Sequence, residues 1–427
     1  DLPAERVRVI YPGIGGAFGG REDMSVQIVL ALAAWHLDRR GIRRPVRMVW
    51  SREESIVGHC KRHRMWLQCK TGASRDGKLV AAEVRVVADG GAYCYTTNKV
   101  LGNTTGVCTG PYEIPNVKVD VDGVYTNNPP AGAFRGFGAP QGIFAAEMQM
   151  NKLAQALGMD PVELRLRNLL REHSLTAMGT PLPGGVSLVE VTERCARAAG
   201  WEQTETGWQR PQIANEEPDI QSGLGFAVAL KNVGFSFGYQ DTCWAKIELR
   251  GDAKIEEALV YIASAEVGQG THTAIRQMAS EALDIDLERV EVIASDTATS
   301  PGSSGSASAS RMTFMSSGAV RGAAEAALKE WWNEERPAVA EYTYLAPKTT
   351  PFDPDSGHGT PNFAYGYVAE AVEARVDIET GQVHVARVIC ANDVGKAINP
   401  QQVEGQIEGA IAQALGWATC ENLITAG

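Results

Sequence analysis

The stretch that characterises this chain is Gly13-Ile14-Gly15-Gly16-Ala17-Phe18-Gly19-Gly20, a loop with five glycines in eight residues. Residues 6–10 before the loop alternate in polarity, which predicts a strand, and residues 24–37 after it are apolar and favour a helix. The loop would therefore present unobstructed backbone N–H groups near a helix N-terminus, where a phosphate or an oxyanion is favourably bound.

Three further loops share this design, and we number all four in chain order as the first to fourth glycine loops. The other three are Ala133-Phe134-Arg135-Gly136-Phe137-Gly138-Ala139-Pro140-Gln141, Glu266-Val267-Gly268-Gln269-Gly270-Thr271-His272, and the Ser- and Gly-rich residues 302–312. A single glycine-rich turn is usually a tight connection, whereas four in one chain indicate a large anionic ligand with several arms. The loops match neither the Gly-x-x-x-x-Gly-Lys-Ser/Thr motif nor the Rossmann spacing.

Alternating polarity and turn residues predict three antiparallel strand pairs, at 64–69 with 79–87, 245–249 with 259–264, and 368–377 with 383–389. Further strands are predicted at 117–125 and 290–293, and helices at 143–157, 274–283, 319–332 and 400–415. Residues 337–362 contain five prolines and are predicted to form a loop.

These elements predict an α+β fold with mixed sheets, built from hairpin-helix units in two halves. The predicted halves are residues 1–200 and 223–427, and the polar residues 201–222 would be a linker or a surface excursion.

Composition excludes some functions. The 427 residues carry a net charge of −11, which disfavours non-specific electrostatic binding to nucleic acid or to an anionic membrane. No apolar run approaches the length of a membrane span. None of the eight cysteines forms a Cys-x-x-Cys pair, which argues against an iron–sulfur or structural zinc site in these residues. Scattered cysteines fit a reducing compartment, so a cytoplasmic location is expected.

Short motifs occur in a fixed order along nearly the whole chain. They are Gly-Gly-Ala-Phe-Gly-Gly-Arg-Glu at 15–22, Ala-Phe-Arg-Gly-Phe-Gly-Ala-Pro-Gln at 133–141, Val-Gly-Gln-Gly-Thr-His at 267–272, Ala-Ser-Arg at 309–311, Asn-Asp-Val-Gly at 392–395 and Gln-Ile-Glu-Gly-Ala at 406–410. In this order they resemble the molybdenum hydroxylases, the family typified by xanthine dehydrogenase, aldehyde oxidoreductase and carbon monoxide dehydrogenase.

The resemblance implies a molybdopterin cofactor whose dithiolene sulfurs hold the molybdenum, so that no protein side chain ligates the metal directly. It implies a position beside the metal's oxo group for Gly16, Ala17, Phe18 and Gly19, and a position on the metal face for Phe134, Arg135 and Gly136. It further implies pterin or phosphate contacts for Gly268, Gln269 and Gly270, contacts to the cofactor's far end for Ala309 and Ser310, and hydrogen bonds to the pterin from Gln406. The Ser-rich fourth loop makes a cytosine dinucleotide form of the cofactor plausible.

The resemblance also implies a substrate pocket. Glu22 matches a glutamate that orients purines, Phe137 matches an aromatic ring that stacks on a planar substrate, and Gln269 and Glu22 are the expected catalytic residues in this chain. Xanthine-specific members have an arginine where Asn103 aligns and a second phenylalanine near Val228, which weakens an assignment to xanthine itself. The loop before Phe134 lacks the cysteine of carbon monoxide dehydrogenases, which disfavours that substrate.

The family's catalytic base is a glutamate in a Gly-x-Gly-Glu-like motif, which would lie beyond Gly427. The family's N-terminal section is also not found before the first loop. We therefore expect a fragment or a split subunit, with a complete protein that has lost its base as the alternative. The [2Fe-2S] clusters and FAD of the family would lie on other segments or subunits.

The expected reaction is hydroxylation of an electron-poor carbon in a planar N-heterocycle, purine-like or pyridine-like, with water as the oxygen source. Glu22 and Phe137 favour this substrate class. Oxidation of an aldehyde to a carboxylic acid is the alternative, favoured by Asn103 in place of arginine. A non-catalytic cofactor-binding or assembly protein is the alternative from another class.

Overall fold

The computed structural model describes residues 2–22, 24–213, 215 and 217–425. Their contacts divide the chain into two compact units. We call Ala17–Leu169, with residues 423–425, the N-terminal unit, and residues 2–16 with Leu170–Asn422 the C-terminal unit. The division falls inside the first glycine loop. The halves drawn from the sequence at 201–222 stay a prediction, because packing alone does not show which segments fold independently.

The N-terminal unit alternates helices and strands. In chain order its elements are α1 (Ser25–Asp38), α2 (Arg52–Gly58), β1 (Met65–Ala73), β2 (Leu79–Gly91), α3 (Thr97–Val107), β3 (Asn116–Tyr125), α4 (Ala139–Leu157) and α5 (Pro161–Asn168). The predicted hairpin is confirmed as the antiparallel pair β1–β2, and β3 joins β2 in parallel after the α3 crossover. Val84 and Val86 of β2 are buried and form a small core with Cys108.

Helix α5 begins with an aspartate cap and a proline in its first turn. The Asp160 carboxylate accepts a hydrogen bond from the Val162 N–H at 2.8 Å, and Pro161 occupies the first turn, where a missing N–H costs nothing. Residues of α4 and α5 share a buried ionic contact. The Arg165 Nε donates to a Glu147 oxygen at 2.8 Å, and the Tyr112 hydroxyl donates to the other oxygen. Burial and the Glu147 charge raise the pKa of Tyr112.

The C-terminal unit contains the remaining elements. They are α6 (Leu188–Ala198), β4 (Glu202–Thr204), β5 (Gly207–Gln209), β6 (Ile220–Asn232), β7 (Thr242–Arg250), β8 (Glu257–Ile262), α7 (Thr271–Leu283), β9 (Val290–Ile293), α8 (Arg311–Trp332), β10 (Ala338–Leu345), β11 (Tyr365–Asp377), β12 (Val383–Asp393) and α9 (Pro400–Thr419).

One topology occurs in both units. In the C-terminal unit β7 and β8 form an antiparallel pair, α7 crosses over, β9 adds in parallel to β8, and a glycine loop then leads into α8. The N-terminal unit uses the same order from β1 to α4. The second and fourth glycine loops therefore occupy equivalent positions, each following the carboxyl end of a parallel strand, which is where α/β units bind ligands.

Helices α7 and α8 cover the four-stranded sheet β10-β7-β8-β9, and their buried alanines, such as Ala319, Ala323 and Ala327, allow close packing on the strands. A second sheet has the order β12-β11-β6 and packs against α6. Both predicted strand pairs of this unit are confirmed, as is the α+β class with mixed sheets. No helix of the described chain is both long and apolar enough to cross a membrane.

Two predictions were wrong. Residues 6–10 do not form a strand: they lie exposed, and only Ile10 makes a bridge, to Asp296. The supposed loop 337–362 contains β10, which pairs with β7 at the sheet edge, where flanking prolines are tolerated. The polar residues 201–222, predicted to be a linker or a surface excursion, include the short hairpin β4–β5 and the start of β6.

Removing the guanidinium of Arg165 should destabilise the protein strongly. Arg165→Met leaves the Glu147 carboxylate buried without its cation, which costs about 3–5 kcal/mol in the free energy of unfolding. The matched control is Arg167→Met on the same helix, because Arg167 pairs with Glu163 at the surface and such pairs contribute below about 1 kcal/mol. Urea denaturation of both variants measures the difference, and equal losses would contradict the assignment.

Candidate cofactor site

The first and second glycine loops meet in the N-terminal unit. The Arg135 N–H donates to the Phe18 carbonyl oxygen at 2.8 Å. Gly19 has a φ of +105°, and a Cβ atom on it would lie 2.7 Å from the carbonyl carbon and oxygen of Ala133. Contact this close requires glycine, since no larger residue leaves room for the opposing backbone. Ala17, Phe18 and Gly19 are thereby held against residues 133–135.

Two cations accompany this contact. The Arg62 guanidinium lies 4.3 Å from the centroid of the Phe134 ring, and its Nη2 donates to the Arg135 carbonyl oxygen at 2.9 Å. The Arg135 guanidinium lies 6.0 Å from the Phe18 ring, and partial burial lowers its pKa. Sequence reasoning missed Arg62, although the basic run Lys61-Arg62-His63-Arg64 before β1 was a visible signal.

Left-handed backbone is concentrated in these loops. Phe18 and Phe137 adopt φ angles of 54° and 49°, which are uncommon for residues with a Cβ atom, and Gly136 adopts 92°. The Phe137 N–H donates to the Phe134 carbonyl oxygen at 2.8 Å, closing a tight turn. Strained non-glycine residues of this kind are concentrated at functional sites.

The predicted substrate residues are distributed over both units. Glu22 is exposed, and its N–H donates to the Gly19 carbonyl at 3.3 Å. Asn103 is buried on α3, the helix whose Thr104 hydroxyl donates to the Gly138 carbonyl at 3.1 Å, so α3 supports the second loop. Phe137 is part of that loop. Val228 belongs to the C-terminal unit, where it is buried on β6.

In the C-terminal unit the third glycine loop holds an internal anion. The Glu266 Oε1 accepts hydrogen bonds from the N–H groups of Gly268 at 2.9 Å and Gly270 at 3.0 Å, and Oε2 accepts from the His272 N–H at 3.2 Å. The sequence predicts that these N–H groups are unobstructed, which is wrong, because the chain's own carboxylate occupies them. Burial alone would raise the pKa of Glu266, but these donors outweigh it and lower the pKa.

Gln269 is fixed by the same loop. Its side-chain oxygen accepts from the Val267 N–H at 2.7 Å, and its amide nitrogen donates to the Ala265 carbonyl at 2.9 Å. An amide nitrogen carries two hydrogens, and the bond to Ala265 uses one of them.

The beginning of the first loop lies beside the third loop. The Gly16 N–H donates to the Val267 carbonyl at 2.8 Å. Upstream, the Tyr11 N–H donates to the Ser295 carbonyl at 2.7 Å, and Arg8 pairs with Asp296. This hydrogen-bonded ion pair lowers the pKa of Asp296 to about 2. The N-terminal segment is therefore anchored at the start of the connection between β9 and α8.

The buried Arg311 side chain fixes the fourth glycine loop through hydrogen bonds. It is buried, pairs with both oxygens of Asp241 at 2.6 and 2.8 Å, and donates from Nη1 to the carbonyls of Ser304 and Ser306. Ala309, with a φ of 49°, and Ser310 are exposed where α8 begins, and the Ser310 side chain makes no capping hydrogen bond.

Helix α9 contributes to the third loop through a residue that sequence reasoning missed. A Cβ atom on Gly270 would lie 2.2 Å from the Gln402 Nε2, which donates to the Gly270 carbonyl at 3.3 Å. Gln406 lies four residues further along α9, on the same helix face. The i, i+4 spacing of the two glutamines was the signal that could have identified Gln402.

The structure thus groups the predicted residues within each unit. In the N-terminal unit it brings together Ala17, Phe18, Gly19, Phe134, Arg135, Gly136 and Phe137. In the C-terminal unit Gly16 meets the loop that contains Gly268, Gln269 and Gly270. Over the described ranges, no three His, Cys, Asp or Glu side chains are placed to hold a metal ion. The predicted residues that meet are thus joined by contacts between glycine-loop backbones.

Comparison with known proteins names the family. Two profiles described as "Molybdopterin cofactor-binding domain" match residues 1–169, and residues 194–333 together with 326–427. The chain therefore belongs to the molybdopterin cofactor-binding domain family of the molybdenum hydroxylases, as its motifs predict.

Individual relatives agree with this assignment. The chain is 32% identical to a probable xanthine dehydrogenase subunit of Bacillus subtilis over 99% of its length, which is 58% of that protein. It is 46% identical to the "Nicotinate dehydrogenase large molybdopterin subunit" of Eubacterium barkeri, over 48% of each chain. The solved aldehyde oxidoreductase from Desulfovibrio gigas superposes with a TM-score of 0.86 at 27% identity, over 97% of this chain and 46% of the other. The chain spans about half the length of these relatives.

Substitution of Gly19 should disrupt the contact between the first two loops. Gly19→Ala places a Cβ atom against the Ala133 backbone at a φ of +105°, which costs about 1–3 kcal/mol for the strained backbone alone. The control is Gly15→Ala, because a Cβ atom there meets nothing within 4 Å. Thermal denaturation should show a lower midpoint for Gly19→Ala only. Equal midpoints for the two variants would contradict the steric argument.

Proposed function

We propose that this chain holds a molybdopterin cofactor with molybdenum and forms the cofactor-binding part of an oxidoreductase that hydroxylates a planar N-heterocycle. One observation supports this most directly. Motifs from two distant parts of the N-terminal unit meet through glycine backbone, at Gly19 and Ala133, so that Phe18 and Arg135 lie side by side. Such a junction positions the family's cofactor motifs without any metal ligand from the protein.

The residues present fit such a group. A Cβ atom on Gly13 or Gly15 would meet nothing within 4 Å, so the first loop leaves open space for a bulky ligand. Half-buried Arg135 offers a cation for an anionic oxygen, and the exposed Ser310 offers a hydroxyl where α8 begins. The donor set is thus N–H, guanidinium and hydroxyl groups, which matches phosphate and pterin oxygens.

When bound, the cofactor supplies two-electron oxidation of an electron-poor carbon, with water as the source of oxygen. The chain's own residues would bind the cofactor and orient the substrate. Gln269 would donate its remaining amide hydrogen towards the cofactor, and Arg135 would balance negative charge beside it. Phe137 would stack on a planar substrate, and Glu22 would accept a hydrogen bond from a ring N–H. Asn103 would shape the pocket through α3, and Gln406 would donate to the pterin.

The substrate class rests on these pocket residues. A carboxylate such as Glu22 pairs with the N–H groups of a heterocycle, which an aldehyde carbon does not offer. A relative named for nicotinate, an N-heterocycle, has 46% identity over its aligned part. Aldehyde oxidation is the second candidate, favoured by Asn103 and by the aldehyde oxidoreductase fold at a TM-score of 0.86.

Further parts of the proposal concern the whole protein. We propose that [2Fe-2S] clusters and FAD on other segments or subunits accept the electrons, and that a glutamate outside these residues is the general base. A cytosine dinucleotide form of the cofactor would reach Ala309 and Ser310. A cytoplasmic location is in keeping with the eight cysteines, each of which is a free thiol. The division into halves at residues 201–222 remains part of this proposal.

The natively purified complex should contain about one molybdenum and one pterin per copy of this chain. Metal analysis by mass spectrometry, together with fluorescence of the oxidised pterin after acid release, measures both. A full molybdenum load without hydroxylase or aldehyde oxidase activity would favour a non-catalytic or assembly protein instead. A complex without molybdenum would contradict the proposed function.

Glu22→Gln should discriminate between the two substrate classes. A hydrogen bond to a charged group contributes about 1.5–3 kcal/mol, so kcat/KM for a purine, which carries ring N–H groups, should fall by about ten- to a hundredfold. Turnover of benzaldehyde should change little, and it serves as the internal control. The measurement is steady-state kinetics of complexes with equal molybdenum content. Wild-type turnover of benzaldehyde, with no turnover of any purine or pyridine, would reject the N-heterocycle.

A further inference from the structure

The carboxylate of Glu266 occupies the position that an external anion takes in many glycine loops. Both oxygens are used: Oε1 accepts from Gly268 and Gly270, and Oε2 accepts from His272. Gly270 and His272 lie where α7 begins, so the helix dipole adds to these bonds. Three backbone donors at 2.9–3.2 Å are a set that would otherwise bind a phosphate oxygen.

The surroundings of Glu266 are also hydrogen-bonded. The His272 ring nitrogen Nε2 contacts the Ser264 carbonyl at 2.8 Å, and the Ser264 and Thr271 hydroxyls are 3.2 Å apart. The amide of Gln402 packs against Gly270 as well. The turn is therefore fixed both by the Glu266 carboxylate and by α9.

The bonds of Gln269 depend on the same turn. Its side chain is held by the Val267 N–H and the Ala265 carbonyl, and these two groups flank Glu266 in the chain. If residues 266–270 rearranged, both anchors of Gln269 would move, and the direction of its second amide hydrogen would change. The Gly16 bond to Val267 would be lost with them.

We propose that Glu266 is a positioning residue whose carboxylate replaces a ligand anion in the third glycine loop and thereby fixes Gln269 for the cofactor. This rests on the proposed function for the identity of the ligand. In this proposal the third loop does not bind the cofactor through its glycine N–H groups, as its sequence suggests. The N–H groups of Gly268 and Gly270 serve an internal anion, and the loop presents a side-chain amide to the cofactor in their place.

The test uses the purified complex with Glu266→Ala, Glu266→Gln and Glu266→Asp variants. Glu266→Ala leaves three unpaired N–H donors at the beginning of α7, a cavity that formate can fill. We expect a lower thermal midpoint that sodium formate restores saturably and sodium chloride at equal ionic strength does not. At equal molybdenum content, turnover should fall about ten- to a hundredfold and recover with formate, because displacing a positioned group by about 1 Å has effects of this size.

The other variants refine the result. Glu266→Gln keeps the shape but removes the charge and one acceptor, so it should be intermediate and should respond weakly to formate. Glu266→Asp keeps the charge on a shorter side chain and should retain the most turnover among the three. The matched control is Asp377→Ala, since Asp377 also accepts two backbone N–H bonds, from Glu379 and Thr380, but in the β11–β12 turn. Asp377→Ala should lower the midpoint without loss of turnover and without a formate effect.

The outcomes separate the two proposals. A Glu266→Ala complex that loses stability without any formate response would show that the carboxylate only packs, and would overturn the role of Glu266. Wild-type turnover at equal molybdenum content would overturn it as well. A wild-type complex without molybdenum would contradict the proposed function, whereas the formate response of the thermal midpoint would still report on the anion in the third loop.

Discussion

The structure depends on one constraint, the close approach of neighbouring groups to the backbone at glycines with left-handed φ angles. At Gly19 the opposing Ala133 backbone occupies the space that a Cβ atom would need. At Gly270 the side-chain amide of Gln402 occupies that space. Because glycine has no side chain of its own, the residues around Gly19 are positioned by short backbone hydrogen bonds, such as the 2.8 Å bond from Arg135 to Phe18. Backbone geometry of this kind explains why glycine occurs in five of the six family motifs, all except Ala-Ser-Arg at 309–311.

Internal charges complement this geometry. Arg311 donates hydrogen bonds to carbonyls of the fourth loop, and Glu266 accepts hydrogen bonds from N–H groups of the third loop. Arg62 donates to the Arg135 carbonyl in the second loop. A buried charge with several hydrogen-bond partners imposes one conformation on a loop that glycine would leave flexible. The glycine loops therefore acquire their shape from charged side chains, and one such residue, Asp241, lies far along the chain from the motif that it supports.

Local patterns were predictable where turn chemistry and alternation agreed. The pairs β1–β2, β7–β8 and β11–β12 follow from short turns between alternating strands, and the beginning of α5 follows from Asp160 and Pro161. The exposed residues 6–10 have the same alternation but found no partner strand within the described part of the chain. Strand β10 was not predicted because prolines flank it in the sequence. It forms because β7 offers a strand with which it can pair at the edge of the sheet, and β10's own residues do not show this.

The sequence by itself determined the family, the α+β class and the positions of the four glycine loops. These follow from short contiguous patterns, namely ordered motifs, alternating strands and clustered glycines, which depend only on neighbouring residues. Only the tertiary structure decided which loops meet, that Arg62 and Gln402 support them, and that Glu266 fills the third loop. These facts depend on contacts between residues far apart in the chain, such as Gln402 and Gly270, or on whether a side chain turns back onto its own backbone. Neither property has a local signature, because spacing along the chain does not specify direction in space.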